Sequence, residues 1–147
     1  MKIVKGDLIA AALRGEVDAI AHGVNCMCRQ KNGIAKQMVT TFGTNDPTVF
    51  TLESEDKRGQ NKLGKVEGVR VKGVLVINAY TQFMYGTDTR KLNYGALAEC
   101  MGRIATMTQG MQLGLPWIGC GLAGGDKEIV SEIIEFYIPS AIIYELN

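Results

Sequence analysis

From Val17 to Val24 the chain is apolar or small at nearly every position. A run that short and that continuous reads as a strand covered on both faces, since a half-exposed strand would alternate with polar residues. Such a strand needs a layer of other elements above it and another below. The rest of the chain supplies candidates for both. Ile34, Ala35, Met38 and Phe42 recur at helical spacing, as do Leu97, Cys100, Met101 and Ile104, and Ile129, Val130, Ile133, Ile134 and Tyr137. Between them lie further strand signals at Lys2–Lys5, Val74–Ile77, Met111–Trp117 and Ala141–Tyr144, with a weaker edge candidate at Lys65–Val71. Strands alternating with helices imply an α/β protein, a sheet layered between helices. At 147 residues the chain is the size of one domain, 1–147, with one core.

Several boundaries carry local signals. Asp7 is placed to cap a short helix over Leu8–Leu13. Thr44-Asn45-Asp46-Pro47 predicts another helix start, with the helix running to about Lys57. Glu53–Lys65 is polar and is expected on the surface. Tyr80–Lys91, with Gln82 and Tyr85, is expected to be a loop, and Gly110 to stop the preceding helix.

Ligands of layered sheets bind at the carboxyl ends of the strands. Two loops, Asn25–Gly33 and Gly119–Asp126, follow apolar strands, precede helices and can meet there. The second holds Gly119, Gly121, Gly124 and Gly125, four glycines in seven residues. Glycines let the backbone approach a ligand, and the amides of the following helix start attract an anion without help from Lys or Arg. A tight turn with no ligand is the competing explanation. In the first loop Gly33 opens a helix, and Asn25 can bond a sugar hydroxyl through its amide. Neither loop is a Walker A loop or a dinucleotide fingerprint.

His22, the single histidine, ends the apolar strand. It is either a core residue or a general acid/base or nucleophile at the mouth of the site. Asp126 is either a helix N-terminal carboxylate or a base that orients water. Cys26 and Cys28 are close, but no second pair or nearby histidine completes a zinc set, so no metal or cofactor is expected. The formal net charge of +1 and the absence of a basic stripe argue against nucleic acid as the main partner. No apolar stretch is long enough for a bilayer, and four irregularly spaced cysteines fit a reducing, cytoplasmic compartment.

The motifs together resemble the macro-domain family. His22-Gly23-Val24-Asn25-Cys26 through Gly33-Ile34-Ala35 is similar to the family's distal-ribose loop. Leu115 to Asp126 resembles its phosphate loop, and Lys5-Gly6-Asp7-Leu8 its first loop. The resemblance spans nearly the whole chain and implies a three-layer α/β/α sandwich with a mixed central sheet. It implies ADP-ribose as ligand, with Asp7 at adenine, Asn25 at the distal ribose, and Gly33, Ile34, Gly119, Cys120, Gly121, Leu122 and Ala123 around the diphosphate; Leu8, Ala35, Gln82 and Tyr85 are further ligand-binding candidates.

Within the family the chain is similar to small phosphatases of yeast and phage that act on ADP-ribose 1″-phosphate. That likeness implies hydrolysis to ADP-ribose and phosphate by His22, partnered by Asp126, in a monomer. The alternatives are a non-catalytic ADP-ribose reader and an ADP-ribosyl-protein hydrolase. Two departures matter. Lys31 stands where the family usually has glycine. The lysine near Gln82 and the aspartate near Ala123 that mark the terminal glycohydrolase branch are absent, which argues against that branch.

Overall fold

The computed structural model describes residues 1–54 and 59–146. Its elements in chain order are β1 (Lys2–Lys5), α1 (Leu8–Leu13), β2 (Ala19–Asn25), α2 (Gly33–Phe42), a short 3₁₀ turn (Gly59–Lys62), β3 (Val66–Val71), β4 (Val74–Gln82), α3 (Tyr94–Met107), β5 (Leu113–Leu115), α4 (Lys127–Tyr137) and β6 (Ile142–Glu145). The six strands form one sheet in the order β1-β6-β5-β2-β4-β3. All neighbours are parallel except β3, which pairs antiparallel with β4 and closes one edge. The sheet is therefore mixed.

β2 and β4 lie inside the sheet, and their side chains alternate between two cores. Ala19 and Ala21 of β2 and Leu75, Ile77 and Ala79 of β4 face the helices α3 and α4. Ile20, Val74 and Val76 point the other way, toward α1 and α2 with Met38 and Phe42. Burial on both faces is what a near-continuous apolar run provides for. The result is three layers, with helices on each side of the sheet.

Several expected boundaries differ. The continuous strand begins at Ala19 and ends at Asn25, and β5 is only Leu113–Leu115. β4 runs on through Tyr80 and Thr81 to Gln82, so the loop after it starts later than expected. α3 ends at Met107, before Gly110. On α4 only Val130 and Ile134 are buried; Ile129 is exposed.

The helix expected from Thr44 does not form in the described residues up to Ser54; the remainder, to Lys57, reaches outside them. Side chains take three of its backbone donors, while Val49, Phe50 and Glu53 donate to carbonyls three or four residues back in isolated turns. Glu67 of β3 accepts from the amides of Thr51 and Leu52 and from the Thr51 hydroxyl, while Asp46 accepts from the amide and hydroxyl of Thr48. Backbone groups satisfied this way gain nothing from a helical ladder. The stretch Glu53–Lys65 is not uniformly surface either, since Glu53 and Lys62 are buried; positions 55–58 lie outside the described residues.

Candidate functional site

A cavity of about 550 Å³ opens at the carboxyl ends of the strands. Its wall is built from the end of β2, the start of α2, the loop after β4 and the segment Pro116–Ala123 after β5. A second hollow, about 470 Å³, lies between the end of α1 and the β3–β4 turn, at the other end of the sheet. Only the first is faced by the two glycine-bearing loops.

Three of the four helices start with a side chain on their free amides. Asp7 accepts from Ile9 and Ala10, Asn93 from Ala96, and Asp126 from Glu128 and Ile129. α2 differs: its N-cap residue, Asn32, makes no capping bond. The amides of Gly33, Ile34 and Ala35 have no partner among the described residues, and all three residues line the cavity. Gly33 reaches this geometry with φ of +59°, a conformation that costs other residues more.

The facing loop repeats the arrangement. Gly125 donates to the Gly119 carbonyl and Gly124 to that of Gly121, while Lys91 and Leu92 both donate to the Ala123 carbonyl. These bonds hold the loop in place. They leave the amides of Gly121, Leu122 and Ala123 without a partner among the described residues, and these residues too line the cavity. Gly125 admits no side chain, because a Cβ there would lie 2.6 Å from the Gly119 carbonyl oxygen. Two rows of N–H groups without partners among the described residues belong to one cavity wall, the kind of arrangement an anion site built from backbone needs.

Around these amides the wall is aromatic and amphipathic. The Arg29 guanidinium lies over the Tyr85 ring, 4.7 Å from its centroid, and bridges the loops after β2 and β4. Trp117 is anchored by its indole N–H, which donates to Glu145 at 2.6 Å, and Lys127 covers its ring. Sequence reasoning had not singled out Arg29, Gln30 or Trp117. The signal that could have found them is position: Arg29 and Gln30 lie within Asn25–Gly33, and Trp117 stands two residues before Gly119.

The expected site residues separate into two groups. Asn25, Gly33, Ile34, Ala35, Gln82, Tyr85, Gly119, Gly121, Leu122 and Ala123 all line the cavity. Asp7, Leu8, Cys120, His22 and Asp126 do not. Asp7 and Asp126 are exposed and cap their helices, each through Oδ1. Leu8 is buried in the core between sheet and α1. The Cys120 thiol, pushed up to about 11 by burial, turns to the Ile118 carbonyl. Asn25 lines the wall and ties the loop together: Oδ1 accepts from the Met27 and Arg29 amides, and Nδ2 donates one N–H to the Arg29 carbonyl. The second Nδ2–H has no partner among the described residues.

His22 is completely buried. Its Nε2 lies 2.7 Å from Asn78 Oδ1, on the residue opposite it in β4, and the Asn78 amide in turn donates to the Thr44 carbonyl. Asn78 thus presents an acceptor, which makes Nε2–H the donor and leaves Nδ1 bare and unpartnered. Burial, offset only in part by this bond, lowers the imidazole from 6.5 to about 4. The folded state therefore binds fewer protons than the unfolded state between these values, and stability is lost as pH falls from 6.5 toward 4. The loss attributable to His22 is expected to be about 3 kcal/mol. Urea unfolding at a series of pH values checks this: His22→Asn should flatten the slope over that window, and an unchanged slope contradicts the assignment.

No family model matches the chain, and no curated protein does. Solved structures do. A protein from Bacteroides thetaiotaomicron is 23% identical with TM-score 0.83, over 99% of each chain. A macrodomain protein from Streptomyces coelicolor is 23% identical with TM-score 0.75, over 99% of this chain and 97% of that one. The Thermosipho africanus DarTG protein, solved in complex with ADP-ribose, is 16% identical with TM-score 0.71, over 99% of this chain and 41% of that one. At these identities the likeness speaks for architecture alone, and the architecture of this chain is the macrodomain fold.

Proposed function

We propose that the chain binds ADP-ribose, with the diphosphate held by the amides of Gly33–Ala35 on one side and Gly121–Ala123 on the other. The observation that carries this is that two amide rows without partners among the described residues belong to one cavity wall. A diphosphate linking two riboses presents charged oxygens to both rows at once. The Thermosipho africanus protein, 41% of which matches this chain's fold, was solved in complex with ADP-ribose, which supports the same choice of ligand. No helix among the described residues is long and apolar enough to cross a membrane.

Hydrolysis of ADP-ribose 1″-phosphate was expected of His22 and Asp126. The first is enclosed as a neutral imidazole and the second caps α4. Among the described residues the cavity wall carries no carboxylate, imidazole or thiol. Of the side chains that serve as general acid or base, the Tyr85 phenol is the one on that wall among the described residues. We therefore place binding ahead of turnover.

Calorimetric titration is expected to show one ADP-ribose bound per chain, with AMP, which lacks the diphosphate, bound far more weakly. Equal affinity for AMP, or no heat with ADP-ribose, overturns the reading. Incubation with ADP-ribose 1″-phosphate is expected to release no phosphate above the buffer rate, and ADP-ribosylated protein is expected to keep its label. Release in either assay restores the corresponding hydrolase.

A further inference from the structure

Beneath the loop between β2 and α2 lies a pair of residues that ligand binding leaves unused. Lys62, the last residue of the 3₁₀ turn, is only 7% exposed. A buried ammonium is costly unless acceptors meet its donors. Its hydrogen bond goes to the Cys28 sulfur at 3.2 Å, and its other close neighbour is the face of Tyr80, 5.8 Å from the ring centroid. No oxygen accepts from Lys62 among the described residues. A thiol is a weak acceptor, whereas a thiolate beside an ammonium is both a strong acceptor and a stabilised nucleophile. Cys28 also holds a left-handed backbone, with φ of +59°, unusual for a residue with a side chain. It is half-buried, whereas Cys26 and Cys100 are sealed in the core.

The titratable groups around Cys28 among the described residues are Lys62, Cys26, Glu53 and Tyr80. Cys26 is pushed up to about 11, chiefly by burial, and stays a thiol. Burial and Glu53 push the Tyr80 hydroxyl up as well, so it stays neutral. The Glu53 carboxylate opposes a second negative charge nearby, but its two oxygens are already engaged by the Tyr80 hydroxyl and the Gln30 amide. Among the described residues, Lys62 is then the group whose charge has no hydrogen-bonded anion unless Cys28 supplies it.

We propose that Cys28 and Lys62 form a nucleophilic thiolate–ammonium pair, and that Cys28 is a site of covalent modification by hydroperoxides and other soft electrophiles. With a hydroperoxide the Cys28 sulfur attacks the terminal oxygen. The S–O bond forms as the O–O bond breaks, the sulfur is oxidised by two electrons and the peroxide reduced. The departing hydroxide or alkoxide takes a proton from solvent, and Cys28 is left as a sulfenic acid. Lys62 keeps its charge throughout and holds the sulfur in place.

The test is alkylation of the intact folded protein with limiting iodoacetamide, followed by peptide mass mapping. Cys120, also half-buried but without an ammonium on its sulfur, is the internal reference. At pH 7 Cys28 is expected to react about tenfold faster in the folded protein than in the same protein unfolded in urea, where no ammonium is held against its sulfur. Lys62→Met is expected to slow Cys28 about tenfold and leave Cys120 unchanged. Hydrogen peroxide followed by a 1,3-dione probe for sulfenic acid should label Cys28. Labelling of Cys26 and Cys100 in the variant would report unfolding, and the wild-type comparison then decides alone. If wild-type Cys28 reacts no faster folded than unfolded, or if a folded Lys62→Met protein reacts as fast as wild type, the pair is not a reactive centre. None of these readouts involves ADP-ribose, so they stand whether or not that ligand binds.

Discussion

Gly33→Glu is expected to weaken ADP-ribose binding by about 100-fold or more, roughly 2.7 kcal/mol, while the protein stays folded. A Cβ at Gly33 meets nothing within 4 Å, so the substitution causes no steric collision. The backbone at φ of +59° adds a stability cost of about 1–2 kcal/mol. That is small beside the total for a domain of this size. The new carboxylate, however, stands at the first-turn amides of α2. It competes with the diphosphate for them and repels it across a short, partly dry distance. Gly33→Ala separates the causes, because it carries the same backbone cost without the charge. It should bind within about tenfold of wild type. Calorimetric titration of both variants reads the difference. If alanine weakens binding as much as glutamate, the loss comes from loop strain and the amide cradle is not what holds the ligand. If glutamate binds like wild type, the start of α2 lies outside the site.

The parts of this site that could be seen in the sequence are those fixed by neighbours in the chain. Asp7 bonds amides two and three residues ahead, so its cap needs no tertiary information. The glycines from Gly119 to Gly125 announce a loop because the backbone itself requires them: Gly119 and Gly124 take positive φ, and Gly125 lies against the Gly119 carbonyl. His22 and Asn25 were harder, because what each does depends on its partner. The imidazole meets Asn78, fifty-six residues away, and a residue type that is often catalytic becomes part of a buried relay to Thr44. The Asn25 side-chain carbonyl looks free until the amides of Met27 and Arg29 fold back on it. The absent helix after Thr44 has the same origin, since two of its donors are claimed by Glu67 from another strand. The Arg29–Tyr85 contact joins two loops that only the sheet order brings together. Local composition thus revealed the backbone of the site, and long-range pairing decided the roles of its side chains.

That long-range pairing is concentrated on Glu53, and Glu53→Ala is expected to cost about 3–5 kcal/mol of stability. One Glu53 oxygen accepts from the Gln30 amide at 2.7 Å and the other from the Tyr80 hydroxyl. Gln30 is itself tied to Thr44 in both directions, through the Thr44 carbonyl at 2.9 Å and the Thr44 hydroxyl at 2.6 Å. All four residues are buried, with Tyr80 and Thr44 completely enclosed. Alanine would remove the acceptor from two sealed donors and leave the buried Lys62 with less negative charge nearby. A void adds to this, because interiors collapse only in part around a deleted side chain. The loss is a large share of the 5–15 kcal/mol typical of a domain, so urea unfolding followed by tyrosine or tryptophan fluorescence should show a midpoint lower by about 1–3 M. Glu53→Gln keeps the volume and one acceptor oxygen, and should recover about half of the loss. Ligand binding should respond in the same order, because Gln30 lines the cavity and its amide is held from below by this carboxylate. An alanine variant within about 1 kcal/mol of wild type would mean that Tyr80 and Gln30 find other acceptors, and the loop bearing Gln30 would then owe its shape to the Asn25 turn alone.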